Sequence, residues 1–263
     1  MERNLDFTPE CRHLHSVNAT ATFVRVVFMP ESVFHFKQFS VRQDLCAMKV
    51  GTDGVLLGAW IKPPADGKIL DIGTGTGLIA MMAAQKSDAF IDAIDIDRQA
   101  CEQAVENTRQ SPWENRIRVV HSSLMDFRPV HRYDLIVSNP PYFIDSYAPE
   151  DEARHLARSA SASLNQDELI NGVVRLLHIT GRFCVILPQR EGQIFLEKAE
   201  QNGLFCNTQV NVRTGLDKPC KRVLMEFSRQ EDEPVIEELV LHTEGREFTD
   251  EYKQLTRDFY LAF

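Results

Sequence analysis

The sequence predicts an α/β fold, a doubly wound and mostly parallel sheet with helices on both faces. Three observations carry that expectation. From Lys68 onward, short apolar runs alternate with longer helix-like runs, and a glycine-rich turn follows the first of the strands. No Gly/Ser/Pro-rich linker, low-complexity tract or internal repeat divides the 263 residues.

Residues 1–22 are polar and aperiodic. Thr22–Phe28 is strand-like, but Met29-Pro30-Glu31-Ser32 interrupts it, and Met29 is a candidate initiator with an upstream extension before it. Val33–Val41 is rich in β-formers and partly alternates apolar with polar residues, so it is expected to be one strand. Lys68–Ile72 reads as a strand and Leu78–Lys86 as an Ala/Met-rich helix. Ala89–Asp95 is the next strand, and Asp97 is placed to cap a helix running to about Gln110. Ile117–His121 and Tyr133–Ser138 are two more strands. A helix over 165–179, a strand over Gly181–Leu187 and a helix over 190–202 follow. Strand-like runs at 204–213, 221–228 and 235–242 close the sheet, and 249–262 reads as an amphipathic helix. Residues 34–263 are therefore expected to form a single domain, with residues 1–33 a partly disordered N-terminal extension.

Composition narrows the function class. Hydrophobic residues make up 43% and charged residues 25%, the balance of a soluble globular chain. No apolar run approaches the roughly 20 residues that span a bilayer, and the N-terminus lacks a secretory pattern. The six cysteines (Cys11, Cys46, Cys101, Cys184, Cys206 and Cys220) form no C-x-x-C pair. Several sit in apolar runs, which argues for free thiols, no metal and a reducing cytoplasm. The net charge of −9 is uneven: residues 231–263 hold ten acidic side chains against Arg246, Lys253 and Arg257. The remaining residues are near neutral, so RNA binding stays open.

Three motifs carry chemistry. Asp71-Ile72-Gly73-Thr74-Gly75-Thr76-Gly77 lies between a strand and a helix, where glycines permit a sharp turn and close approach of a ligand. Dinucleotide folds use G-x-G-x-x-G, but here the third glycine falls one residue early, at Gly77. That is the spacing of an S-adenosylmethionine loop, and it disfavours a nicotinamide oxidoreductase. Asp95, at the end of the next strand, is placed to accept hydrogen bonds from both ribose hydroxyls of an adenosine-containing ligand. Asp97 competes for that task, with helix capping its alternative.

The third motif is Ser138-Asn139-Pro140-Pro141-Tyr142-Phe143, directly after an apolar strand. The prolines fix φ and remove two backbone donors, leaving carbonyls free to accept. An amino nitrogen that attacks a methyl group needs acceptors for its two hydrogens, which the Asn139 oxygen and the Pro140 carbonyl can supply. Tyr142 can stack on a planar substrate turned out of its helix.

Together these motifs resemble class I S-adenosylmethionine-dependent methyltransferases that act on a planar amino nitrogen. That resemblance implies a Rossmann-like, mostly parallel seven-stranded sheet with a short β-rich N-terminal elaboration. Adenine, cytosine and guanine amino-methyltransferases and release-factor glutamine methyltransferases share the motifs, which do not separate them. A narrower similarity lies in Phe34-His35-Phe36-Lys37-Gln38-Phe39 and in the run Cys46–Trp60, which contains K-V-G-T-D-G. Both resemble the start of the bacterial tRNA1(Val) adenine-37 methyltransferases. Ala157-Arg158, Asp167-Glu168-Leu169-Ile170 and Lys221–Phe227 are similar to that family as well.

The resemblance implies methyl transfer from S-adenosylmethionine to the 6-amino group of an adenine in tRNA, leaving S-adenosylhomocysteine, by a cytoplasmic monomer. Asn139, Pro140 and Tyr142 would be catalytic. Lys49, Thr52 and Asp53 would close one side of the cofactor pocket. Asp71, Gly73, Gly75 and Gly77 would surround the methionine portion, and Asp95 would bind the ribose. Where relatives often carry an Asp for the cofactor's adenine, this chain has His121-Ser122-Ser123-Leu124, which leaves Ser123 as the candidate and Asp126 three residues on. Lys37, Arg42, Arg154, Arg158, Lys218, Lys221 and Arg222 are the candidates for docking RNA. Three alternatives stand beside this reading. A release-factor methyltransferase would carry a helical N-terminal domain, and a DNA adenine methyltransferase a larger recognition region. A regulator that binds S-adenosylmethionine without catalysis would have no need of Asn139–Tyr142.

Overall fold

The structure, a computed structural model, describes residues 33–46, 48–141 and 164–263. The strand-like run Thr22–Phe28, Met29, Tyr142, Arg154 and Arg158 lie outside the described residues.

Two short strands, β1 (Val33–His35) and β2 (Ser40–Arg42), pair antiparallel as a hairpin, with Phe34 opposite Val41. One strand was expected over this run. The Phe36 N–H instead donates to the Phe39 carbonyl at 2.8 Å, turning the chain so that both rings are buried and stacked 4.7 Å apart. Exposed Lys37 and Gln38 form the tip. Helix α1 (Thr52–Trp60) follows, and periodicity did not reveal it. Gly54 to Ala59 are all buried, so T-D-G-V-L-L-G-A-W has no polar face from which a 3.6-residue period could be read.

The alternation then proceeds as expected. It comprises β3 (Lys68–Ile72), α2 (Leu78–Lys86), β4 (Phe90–Asp95), α3 (Arg98–Arg109), β5 (Ile117–His121) and β6 (Tyr133–Ser138). Helix α4 (Gln166–Leu176) starts with a reciprocal capping box between Asn165 and Glu168. It ends earlier than expected because β7 (Leu177–Pro188) begins at once, with β-branched Ile179 and Thr180 favouring the strand. Helix α5 (Gln189–Gln201), strands β8 (Phe205–Gly215), β9 (Cys220–Ser228) and β10 (Val235–His242), and helix α6 (Asp250–Thr256) complete the chain. Residues beyond α6 leave the helix to meet the hairpin, where the Lys37 N–H donates to the Phe259 carbonyl and Phe36 bridges Tyr260.

The sheet has eight strands in the order β10-β8-β9-β7-β6-β3-β4-β5, one for each strand-like run from Lys68 onward and one more than the seven that the resemblance implies. Only β9 runs against its neighbours, antiparallel to both β7 and β8. The edge strand β10, the run expected over 235–242, is parallel to β8 from Val235 opposite Thr208 to His242 opposite Gly215. Exposed Glu237 and Glu238 on this edge strand discourage pairing with a further chain.

Alternation along the strands builds a core on each face of the sheet. Ile69, Leu135 and Ile186 pack with α1, α2 and Tyr252 of α6. Their neighbours Leu70, Ile136 and Val185 pack with Leu169, Ile170 and Val173 of α4 and Phe195 of α5. The sheet order reverses between β3 and β6, and a crevice outside the carboxyl ends of strands at such a point is where open α/β sheets bind ligands.

Candidate active site

Three adjacent strand ends bring the sequence motifs together. Ile72 at the end of β3 is level with Ile94 on β4 and with Ser138 on β6. The glycine loop, Asp95 and Asn139 therefore leave the sheet side by side. The buried Ser138 hydroxyl donates to the Ile72 carbonyl at 3.0 Å, fixing the spacing of the two chains where they diverge.

Gly73, Gly75 and Gly77 have φ of +70°, +54° and +82°, a region that other residues enter at a cost. A Cβ on Gly73 or Gly75 would meet nothing within 4 Å, so the loop presents bare backbone to open space. Backbone bonds hold it in place: the Gly73 and Thr74 N–H groups donate to the Ile94 carbonyl at 2.9 and 3.0 Å. Asp71 is 1% exposed, with one oxygen accepting from the Thr74 hydroxyl at 2.6 Å and the other without a partner. Burial pushes its carboxyl up to about 7, and the Thr74 hydroxyl and Ala80 backbone only partly oppose that.

Asp95 accepts from the Gly75 N–H through one oxygen and from the Asp97 N–H through the other, both at 2.9 Å. Burial raises its pKa and these backbone donors oppose the rise. Asp97 does what its position suggested, capping α3 by accepting from the Gln99 N–H at 2.8 Å. Ile96, between them, is 51% exposed. An apolar side chain left in solvent next to a ribose-binding candidate offers a surface for a flat base. An apolar residue directly after a strand-end acid is the sequence signal of this surface.

Ser123 is paired with Asp126. Its hydroxyl donates to Asp126 Oδ2 at 2.6 Å and accepts from the Asp126 N–H at 3.1 Å. The three-residue separation that set Asp126 aside is the span of this turn, so the two side chains act as one polar unit.

Asn139 is half-buried and Pro140 buried. Gly54 of α1 packs over the motif, and a Cβ there would lie 3.1 Å from Leu78 and 3.7 Å from the Asn139 side-chain nitrogen. The helix can approach this closely only because residue 54 has no side chain. Just before it, Asp53 accepts from Arg222 Nε at 2.8 Å, tying α1 to β9. A cofactor-wall candidate and an RNA-docking candidate are thus partners of one another. Lys49 is exposed shortly before α1, and Thr52 is exposed at its first position.

The other docking candidates separate. Arg42 pairs with Asp44 and Glu106, each at 3.5 Å. Lys37 donates to the Arg257 and Phe263 carbonyls, each at 2.5 Å, which anchors the hairpin to the C-terminal residues. Lys218 and Lys221 are exposed. Among the described residues, no group of three or more His, Cys, Asp or Glu side chains is placed to hold a metal ion. No helix of the described residues is long and apolar enough to cross a membrane.

Comparison with known proteins agrees with this geometry. The family model of the methyltransferase small domain matches residues 46–181. The chain is 45% identical over 235 residues to the tRNA1(Val) (adenine(37)-N6)-methyltransferase of Trichodesmium erythraeum, covering 88% of this chain and 98% of that one. It is 46% identical over 239 residues to the protein of the same name from Christiangramia forsetii, covering 89% and 99%. Among solved structures, that of a predicted O-methyltransferase from Agrobacterium tumefaciens superposes with a TM-score of 0.59 at 16% identity. It covers 79% of this chain and 96% of that one, a likeness of fold. With a strand-end crevice carrying both motifs and relatives this similar along almost their whole length, the chain belongs to the tRNA1(Val) (adenine(37)-N6)-methyltransferase family.

Proposed function

We propose that this protein transfers the methyl group of S-adenosylmethionine to the exocyclic 6-amino group of adenine 37 in tRNA1(Val), leaving S-adenosylhomocysteine. The observation that carries this reading is the position of Asn139 and Pro140, at the end of the strand adjacent to the glycine loop. Family membership supports the acceptor. The crevice suits the cofactor: Gly73 and Gly75 present bare backbone to open space, and the buried Asp71 is a carboxyl group whose ionised form a cationic ligand would favour. When bound, S-adenosylmethionine supplies an electrophilic methyl group on a cationic sulfur.

The protein's own contribution is positioning and polarisation. Asp71 and the glycine loop would hold the methionine portion, Asp95 the ribose, and the Ser123–Asp126 pair the adenine edge. Lys49, Thr52 and Asp53 would form the facing wall. The Asn139 side-chain oxygen and the Pro140 carbonyl accept the two hydrogens of the substrate amino group, aiming its lone pair along the line of attack. Pro140 and Pro141 present no N–H groups that would compete for the same nitrogen. Tyr142, next in the chain, is assigned the stacking role from its chemistry. No dedicated base is required, because a methylated amino group bearing an extra proton is strongly acidic and loses it to solvent.

The proposal takes residues 34–263 as one methyltransferase domain, with residues 1–33 an extension, acting as a monomer in the cytoplasm where its tRNA resides. The test is transfer of labelled methyl groups to unmodified tRNA, total DNA and a release factor in parallel, followed by digestion. Label is expected as 6-methyladenosine in tRNA. Asn139→Ala should lower turnover by two orders of magnitude or more, roughly the scale for losing an oriented polar contact at a reacting centre, with little change in cofactor affinity. Retained turnover in that variant, or label confined to DNA or the release factor, would sink the reading.

A further inference from the structure

We propose that Asn107, on α3, is a positioning residue that locks the two walls of the cofactor crevice together, an inference that rests on the function proposed above. Asn107 is 1% exposed, and its side chain bonds only to backbone outside its own helix. Its Oδ1 accepts from the Arg42 N–H at 2.9 Å, and its Nδ2 donates to the Arg42 carbonyl and to the Thr76 carbonyl, both at 2.8 Å. Both amide donors and the carbonyl oxygen are thereby engaged. Thr76 belongs to the glycine loop. Arg42 ends β2 and opens the segment that leads through Lys49 to Asp53 and Gly54.

That segment is tethered along its length. One turn earlier on α3, the fully buried Gln103 accepts from the Leu45 N–H at 3.0 Å, and Val50 donates to the Gln43 side chain at 2.7 Å. At the far end Asp53 meets Arg222, and Gly54 lies against Leu78 and the Asn139 side chain. Residues 42–46 and 48–54 thus reach from the glycine loop to the Asn139 motif. Asn107 is the joint at which loop and segment share one side chain. A helix position that only filled space would need nothing more than the alanine found at Ala100 and Ala104, which are also buried on α3. Without the joint, loop and segment would move independently, and a ligand held between them would bear the ordering cost of both.

The test compares wild type, Asn107→Asp and Tyr133→Phe. Asn107→Asp keeps the side-chain volume and the acceptor toward Arg42, but replaces the two donors with an oxygen that faces two carbonyls. Tyr133→Phe removes a 2.6 Å bond to the buried Asp92 at the amino end of the sheet, and so serves as a control for general destabilisation. Affinity for S-adenosylhomocysteine is read by calorimetry, amide exchange over 42–54 and 73–77 by mass spectrometry, and kcat and KM with unmodified tRNA. For Asn107→Asp, Kd should rise about tenfold, the scale of one to two lost hydrogen bonds. KM for the cofactor should rise with it, kcat should change by no more than about twofold, and both segments should exchange faster. Tyr133→Phe should lower Tm and leave Kd unchanged. Wild-type Kd and exchange in Asn107→Asp would overturn the inference, as would equal weakening in Tyr133→Phe at a matched loss of Tm. Wild type that binds S-adenosylhomocysteine but does not label tRNA overturns the proposed acceptor alone, since the role of Asn107 is read from Kd and exchange.

Discussion

Replacing Asp71 with Asn should remove much of the pH dependence of the free protein's stability. Asp71 is 1% exposed, and beyond the Thr74 hydroxyl one of its oxygens has no partner. Burial raises its carboxyl from 3.8 to about 7, and the neighbouring Asp95 charge adds to the rise. In the unfolded chain the proton leaves near the lower value, whereas in the folded protein it stays until the higher one. Between those values the native state binds more protons, so stability falls as pH rises. The contribution is fully present below about pH 4 and gone above about pH 7; a shift of about three pH units is worth on the order of 4 kcal/mol. Urea unfolding of wild type and Asp71→Asn, at steps between about pH 5 and 8, reads the difference directly. The gap should open through that range and level off near the top, with the variant the more stable form there. Parallel curves would mean that Asp71 titrates alike in both states, and the burial argument would fail. Because a buried carboxylate that costs stability is suited to neutralisation by a cationic ligand, Asp71→Asn should also lose S-adenosylmethionine affinity while gaining stability.

Gly54→Val should preserve the fold of α1 while pushing a branched side chain into Leu78 and Asn139. Turnover should drop at least about tenfold with Tm lowered by only a few degrees, and unchanged turnover would place Asn139 outside the reacting geometry. Arg222→Gln breaks the pair with Asp53, so it should weaken S-adenosylhomocysteine binding severalfold, on the scale of about 1 kcal/mol for a half-buried pair. If calorimetry instead finds that affinity intact and only KM for tRNA rises, Arg222 serves the RNA and not the cofactor wall. Burial and the charges of Asp95 and Asp97 push the Cys46 thiol up to about 12, and burial beside Glu226 raises Cys184 well above the ordinary thiol value. Iodoacetamide at about pH 8 should therefore leave both unmodified until the protein is unfolded, as mass mapping can show.

What the sequence displays well is what the backbone alone determines. The strand ends Ile72, Asp95 and Ser138 follow from apolar runs and breakers, and the register that aligns them is a property of any parallel sheet. The motifs attached to those ends could therefore be placed in one crevice without knowing any side-chain contact. Helix α1 escaped because burial on every side erases periodicity, and the hairpin because Lys37 and Gln38 interrupt a β-rich run without a Gly or Pro signal. Asn107 was invisible for another reason. Its partners Arg42 and Thr76 lie 65 and 31 residues away, and a buried Asn in an amphipathic helix reads as one more polar face residue. The Arg222–Asp53 pair, 169 residues apart, escaped for the same reason: arginine was read by its charge, whereas its partner is fixed by tertiary approach.

The charge around the crevice bears on why a cationic cofactor suits this fold better than a dinucleotide. The Asp95 charge raises the proton affinity of Asp71, and the charges of Asp95, Asp97 and Asp44 all raise that of the Cys46 thiol. Two arginines of the surrounding elements have carboxylate partners, Arg42 with Asp44 and Glu106, and Arg222 with Asp53. A pyrophosphate entering the glycine loop would meet that negative field, whereas a ligand bearing a sulfonium and an ammonium would be drawn in and would relieve the cost of keeping Asp71 ionised. The early third glycine acts in the same direction. Gly77, at φ +82°, ends the loop as the N-cap of α2, and a Cβ there would lie 3.5 Å from Ala104 and Thr108 of α3. The helix N-terminus is thereby packed against its neighbour through the residue that would otherwise approach a phosphate. Loop spacing and local charge, two independent features, thus select the same class of ligand. Glu237 and Glu238, part of the net acidity of residues 231–263, do not enter that selection, because β10 lies at the opposite edge of the sheet from β4 and β5.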